Sequence, residues 1–233
     1  MSDAPVVLVF DIDGTLLHSV DDHQAALRDA YRSLGVDLGG RPLSQFPDHT
    51  DSAIFDLLVS EARGERASAQ DFEELDAALD AAYRRRVTAG APPEIAGARQ
   101  LLETLAPDPR FQMTFATGSM RGAAAQKLVS LGVDPEAAVL VTASDFLTRE
   151  AIVWRAIELA AIGAESVVRV ISIGDGIWDL RAATQLGVSF LAVESGTHQF
   201  ADGPIHTVPD LRSLTPDALI ALASATPFPS PIP

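Results

Sequence analysis

A chain of 233 residues, 47% hydrophobic and 21% charged, is long enough to bury a core and too apolar to be disordered. Its formal net charge of −15 argues against a nucleic-acid partner, but leaves room for a small anionic substrate where a metal ion or cationic side chain inverts the local potential. The lack of cysteine excludes disulfides, thiolate catalysis and thiolate metal sites.

The first apolar run, residues 5–11, has no basic residues ahead of it and stops at Asp11, which predicts a core strand and not a signal peptide. No stretch of 18 successive apolar residues follows, so neither a membrane span nor a membrane partner is expected, and the default location is cytoplasmic. From about residue 18 to about 92 no strand is predicted. Three amphipathic helices are predicted instead: one around 21–34 with Leu27, Ala30, Tyr31 and Leu34 on one face, a second with Ile54, Leu57 and Leu58, and a third with Phe72, Leu75, Leu79, Ala82 and Tyr83. The turn-rich GGRPLSQFPDHTD lies within this module and AGAPPE marks its exit.

Beyond it, strands predicted at 111–116, 138–142, 168–173 and 189–193, with a weaker edge at 205–208, alternate with helical segments GARQLLETLA, RGAAAQKLVSLG, REAIVWRAIELAAIG and DLRAATQLG. LTPDALIAL offers Thr215 as an N-cap and Pro216 as the first helical residue. The Pro-rich tail, 226–233, reads as extended or disordered. Continuous apolar strands alternating with helices predict an α/β fold, a Rossmann-like doubly wound parallel sheet. The expected core is 1–17 with 93–225, and 18–92 is an inserted all-helical domain.

In open α/β sheets ligands bind beyond the carboxyl ends of the strands. The first predicted strand ends in Asp11-Ile12-Asp13-Gly14-Thr15, the second in Ala116-Thr117-Gly118-Ser119, and the fourth in Gly174-Asp175-Gly176-Ile177-Trp178-Asp179. Residues i and i+2 of an extended chain face the same way, so Asp11 and Asp13 crowd two negative charges into one volume, and Asp175 adds a third. Like charges this close need a cation among them, and hard oxygen donors without His or Cys favour Mg²⁺, which in turn bridges to phosphate. Thr117 and Ser119, with the amides of Gly118 and Ser119, suit a phosphate nest. The hydroxyls would equally cap the next helix, and Asp179 would equally suit a helix N-terminus.

DIDGTLL, FATGS and GDGIWD resemble motifs one, two and four of the haloacid dehalogenase-like hydrolases, in the family's order and at strand ends, over roughly residues 5 to 215. The inserted helices resemble the α-helical cap of phosphoglycolate phosphatase-like members. This resemblance implies Asp11 as the nucleophile that forms an aspartyl-phosphate, and Asp13 as general acid and then base. It implies Mg²⁺ held by Asp11, the Asp13 carbonyl, Asp175 and Asp179, with Thr117, Gly118 and Ser119 on the phosphoryl oxygens. The family's motif-three lysine is missing. Lys127, the only lysine, lies in the helix after motif two, away from that position, and Arg149 is the expected substitute. His18, His49, Thr50 and Asp51 are candidates for substrate contact, or else belong to a solvated loop and hinge.

Relatives that displace halide lack an aspartate at position 13, and phosphonate hydrolases need a cap lysine that is absent here. The expected function is therefore hydrolysis of a small phosphorylated metabolite, phosphoglycolate or a sugar phosphate being the family-level guess. A sugar-phosphate mutase and a non-catalytic phospho-ligand binder are the alternatives. Hinges are expected near 16–20 and 89–94.

Overall fold

The computed structural model describes residues 5–161, 169–195, 200 and 205–224; the Pro-rich tail, whose conformation was predicted above, lies outside them. Six parallel strands form one sheet in the order β3-β2-β1-β4-β5-β6: β1 (Val6–Phe10), β2 (Phe111–Ala116), β3 (Val139–Val141), β4 (Arg169–Gly174), β5 (Ser189–Val193) and β6 (His206–Val208). All six fall where they were predicted. Strand β1 shows why the pattern was readable. Val6, Leu8 and Phe10 pack into the cluster on one face, with Leu101 and Leu102 of α4 (Ala98–Leu105) and Leu219 of α8 (Pro216–Ser224). Val7 and Val9 pack on the other face against Ile152 and Val153 of α6 (Arg149–Ala160) and Ala182 of α7 (Ile177–Leu186). A strand covered on both faces must be apolar at every position, and each buried Val, Leu or Phe contributes roughly 1.5–3 kcal/mol.

The chain order turns back between β1 and β4, so the switch point lies at their carboxyl ends, where Phe10 pairs with Ile173.

The insertion consists of α1 (Val20–Ser33), α2 (Asp51–Arg63) and α3 (Ala69–Arg86), with a short 3₁₀ turn at Leu43–Gln45. Leu27, Tyr31, Phe55, Leu75, Leu79 and Tyr83 form its own apolar cluster, joined by Met120, Ala123 and Ala143 from the sheet domain. Thr50 caps α2 by accepting from the Ala53 amide, and Ser68 and Asp71 form a capping box at the start of α3. The two connections to the sheet domain run side by side: the His18 amide donates to the Pro93 carbonyl at 2.8 Å and the Ile95 amide to the Leu16 carbonyl at 2.9 Å.

The insertion also rests on α5 (Arg121–Ser130), where the Gly122 amide donates to Asp76 at 2.8 Å and Gln126 Nε2 to Asp80.

Candidate active site

The backbone beyond β1 turns back at once, with the Gly14 amide donating to the Leu17 carbonyl at 2.8 Å. Gly14 adopts a φ of +82°, and a Cβ there would collide with the Asp175 carboxylate. Only glycine lets the first loop lie against the fourth strand's acid. Asp11, Asp175 and Asp179 are all buried, and each offers an oxygen within 4.8 Å of the others. Asp175 Oδ1 is buried without a hydrogen-bond partner among the described residues. A buried, unpartnered carboxylate oxygen facing two further carboxylates is an arrangement that fits a hard divalent cation.

Arg149 is the first residue of α6, behind the N-cap Thr148, and is 5% exposed. Its Nη2 donates to Asp11 Oδ1 at 2.6 Å and its Nε to Asp179 Oδ1 at 2.7 Å. Nη1 is buried with no partner. The arginine expected to replace the missing lysine therefore does reach the first aspartate, and it keeps one fork of its guanidinium free.

Lys127 does not take the missing lysine's place beside Asp11, but it reaches the other aspartate of the first motif. The helix α5 carries it under the loops, fully buried, and its Nζ donates to Asp13 Oδ2 at 2.6 Å, Ser119 Oγ at 2.9 Å and His23 Nδ1 at 3.1 Å. Asp13 also accepts from the hydroxyls of Ser19 at 2.5 Å and Ser119 at 2.8 Å. On its other side, His23 Nε2 lies 3.0 Å from Asp51 Oδ1. Ser19, His23 and Lys127 are thus site residues that sequence reasoning missed.

The two aspartates of the first motif sit in opposite electrostatic surroundings. Burial, only partly offset by Arg149 and reinforced by Asp179 and Asp13, pushes the Asp11 carboxyl up to about 7. Burial and the charges of Asp11 and Asp179 likewise push Asp175 up to about 9. Burial would raise Asp13 as well, but the Lys127 ammonium, His23 and the bonds from Lys127 and Ser19 overcome it and hold that carboxyl well below the usual range.

Thr117 and Ser119 lie at the bottom of a cleft of about 110 Å³ whose walls include Asp11, Asp13, Gly118, Arg149, His49, Thr50 and Asp51. The Ser119 amide is taken by Thr117 Oγ1 at 3.1 Å. Gly118 lets the insertion dock closely: its carbonyl accepts from the Asp51 amide at 2.8 Å, and a Cβ would lie 2.5 Å from the His49 carbonyl oxygen. Asp51 is committed to this docking, with Oδ2 accepting from the Met120 amide at 2.9 Å and Oδ1 facing His23. The His49 ring stacks on Trp178 at 4.3 Å. His18, the fourth candidate for substrate contact, is exposed and does not line the cleft.

A parallel sheet with its switch point between β1 and β4 and buried acids at those strand ends is an α/β fold with a ligand site at the carboxyl edge. Residues 8–193 match the haloacid dehalogenase-like hydrolases, and the chain belongs to that family. Among solved structures, a hydrolase from Pseudomonas syringae is 24% identical, with a TM-score of 0.59 over 84% of this chain and 87% of that one. CbbY from Rhodobacter sphaeroides, in complex with phosphate, is 15% identical, with a TM-score of 0.67 over 90% and 96%. YfnB from Bacillus subtilis, bound to magnesium, is 17% identical, with a TM-score of 0.56 over 95% and 99%. No curated protein sequence matches the chain. No helix among the described residues is long and apolar enough to cross a membrane.

Proposed function

We propose that the protein is a Mg²⁺-dependent phosphatase that hydrolyses a small phosphate monoester through an aspartyl-phosphate on Asp11. The observation that carries this reading is the pair of unpartnered buried groups flanking Asp11: Arg149 Nη1, a donor, and Asp175 Oδ1, an acceptor. An incoming phosphoryl oxygen satisfies the first and a cation the second. Asp11, Asp175 and Asp179 would hold the metal, which when bound neutralises these carboxylates and polarises the phosphoryl group.

The residues of the chain divide the remaining work. Arg149 fixes Asp11 Oδ1, leaving Oδ2, which accepts only a 3.2 Å bond from Thr15, as the attacking atom. Thr117 and Gly118 line the cleft, where the hydroxyl and the amide would serve as donors to the equatorial oxygens. Asp13 stands ready in its ionised form, the form that takes a proton from water when the aspartyl-phosphate is hydrolysed. For the first half-reaction it must be protonated. The negative charge of the arriving phosphoryl group raises its proton affinity in the right direction. The helical insertion serves as a cap, hinged at the paired connections 16–18 and 93–95 and excluding water when docked on Gly118.

The test is phosphate release from p-nitrophenyl phosphate and small alkyl phosphates with Mg²⁺ and with excess chelator. Release should need the metal and should fall at least about a thousandfold in Asp11→Asn. Binding of the same esters with no turnover in the unmodified protein would leave it a phospho-ligand binder instead.

A further inference from the structure

The cap-side wall of the cleft says what kind of ester can leave. The chain has 17 Lys and Arg residues, and all of them lie within the described part. Of these only Arg149 lines the cleft, and it is engaged by Asp11 and Asp179. Lys127 stands behind Asp13 with its three protons given to Asp13, Ser119 and His23. Arg28, the next cation along α1 from the cleft, borders a separate surface cavity with Arg32 and Arg41.

The wall facing the nucleophile is built from α1 at a spacing of four and three, Val20, Gln24 and Leu27, and from Leu43 and Ile54. Its acidic member is Asp51, and His23 and His49 also line the cleft. Its uncharged amide is Gln24, whose side chain makes no hydrogen bond among the described residues. At about 110 Å³ the cleft is also well below the roughly 300–1,000 Å³ of sites for drug-sized ligands.

We infer that the substrate's leaving alcohol is compact and uncharged, carries a hydroxyl or carbonyl for Gln24, and has no second phosphate and no carboxylate. The inference rests on the phosphatase reading and narrows it. A distal anion on the leaving group would be desolvated against Leu27, Leu43 and Ile54, with Asp51 nearby, no lysine or arginine to meet it, and His23 already engaged by Lys127 and Asp51. A phosphoryl group has Arg149 and the metal site at the opposite end, so only one anionic group per molecule is accommodated. Phosphoglycolate and sugar bisphosphates, carrying two, are excluded as good substrates.

The experiment compares kcat/KM for matched pairs with the Mg²⁺-loaded enzyme: 2-hydroxyethyl phosphate against 2-phosphoglycolate, and glycerol 1-phosphate against 3-phosphoglycerate. The neutral member of each pair should be favoured by at least about a hundredfold, no less than an apolar pocket exerts against one added hydroxyl. Gln24→Lys should shift each ratio at least tenfold towards the carboxylate, through KM. Turnover of p-nitrophenyl phosphate, blanked by Asp11→Asn, reports the chemistry separately. If that ester is hydrolysed while the carboxylates equal or exceed their partners, or Gln24→Lys leaves the ratios unmoved, the inference falls and the phosphatase reading stands. If no ester is hydrolysed, both fall.

Discussion

Replacing Lys127 with Met removes the cation that holds Asp13. The ammonium is 0% exposed, so solvent does not screen it, whereas the Asp13 side chain keeps 15% exposure and two hydroxyl donors, Ser19 and Ser119. Removing one partner of a buried pair costs about 3–5 kcal/mol because the other charge is left uncompensated. The remaining hydroxyls put Lys127→Met at the lower end, about 3 kcal/mol. For a chain of this size that lowers Tm by about 6–12 °C. Urea denaturation of a double-mutant cycle isolates the pair. In an Asp13→Asn background the lysine is itself the unpaired charge, so its removal should cost far less or stabilise, giving a coupling of about 2 kcal/mol or more. Equal losses in both backgrounds, or a single-mutant loss under about 1 kcal/mol, would refute the assignment of Lys127 as the counter-ion of Asp13.

Two further outcomes follow from the same geometry. Asp11 and Asp175 are raised from 3.8 to about 7 and about 9 in the metal-free fold. Their contribution to stability is therefore complete below the unfolded value and is lost as pH rises through the folded ones. Mg²⁺ must displace those protons, so its affinity should rise between pH 5 and pH 7 by up to about tenfold per unit for each proton released. Calorimetric titration at several pH values checks this, and a pH-independent affinity would count against the carboxylates as ligands. Gly118→Ala places a Cβ 2.5 Å from the His49 carbonyl and 3.4 Å from Thr50 Cα, so the 49–51 segment must withdraw. Loss of the docked cap should lower kcat/KM by about tenfold or more and alter the fluorescence of Trp178, on which His49 stacks. Unchanged kinetics and emission would show that the docking at Gly118 is not needed.

The fold was legible because a sheet buried on both faces leaves apolar runs that end abruptly, as β1 does at Asp11. Boundaries were less so. The seventh helix begins at Ile177 and not at Asp179, because Asp179 accepts from the Gly176 amide and so belongs to the helix's first turn. In the site, Asp11 and Asp13 announce themselves by spacing within one strand end, whereas Lys127 and His23 are brought to Asp13 by tertiary packing. A signal for both existed. Lys127 shares a helical face with Ala123, Ala124 and Leu128, and His23 shares one with Ala26, Leu27 and Ala30. An ionisable side chain inside an otherwise apolar stripe has to find a buried partner. His18 carries no such signal, and it is exposed and does not line the cleft.

The absence of the usual motif-three lysine looks different once the charges are set side by side. With all four ionised, Asp11, Asp13, Asp175 and Asp179 would bring four negative charges to the strand ends, against two positive ones from Arg149 and Lys127. One cation serves each motif-one aspartate, and they are not interchangeable. The planar guanidinium spans Asp11 and Asp179 and retains Nη1, which a point-charge ammonium could not do. The ammonium, with three tetrahedral protons, instead ties Asp13 to Ser119 and to His23 of the helical insertion. Asp51 is held separately, by the start of α2, the Met120 amide and His23. The remainder would be two negative charges around an Asp175 oxygen unpartnered among the described residues, the deficit that one divalent cation would remove once the protons on Asp11 and Asp175 had left.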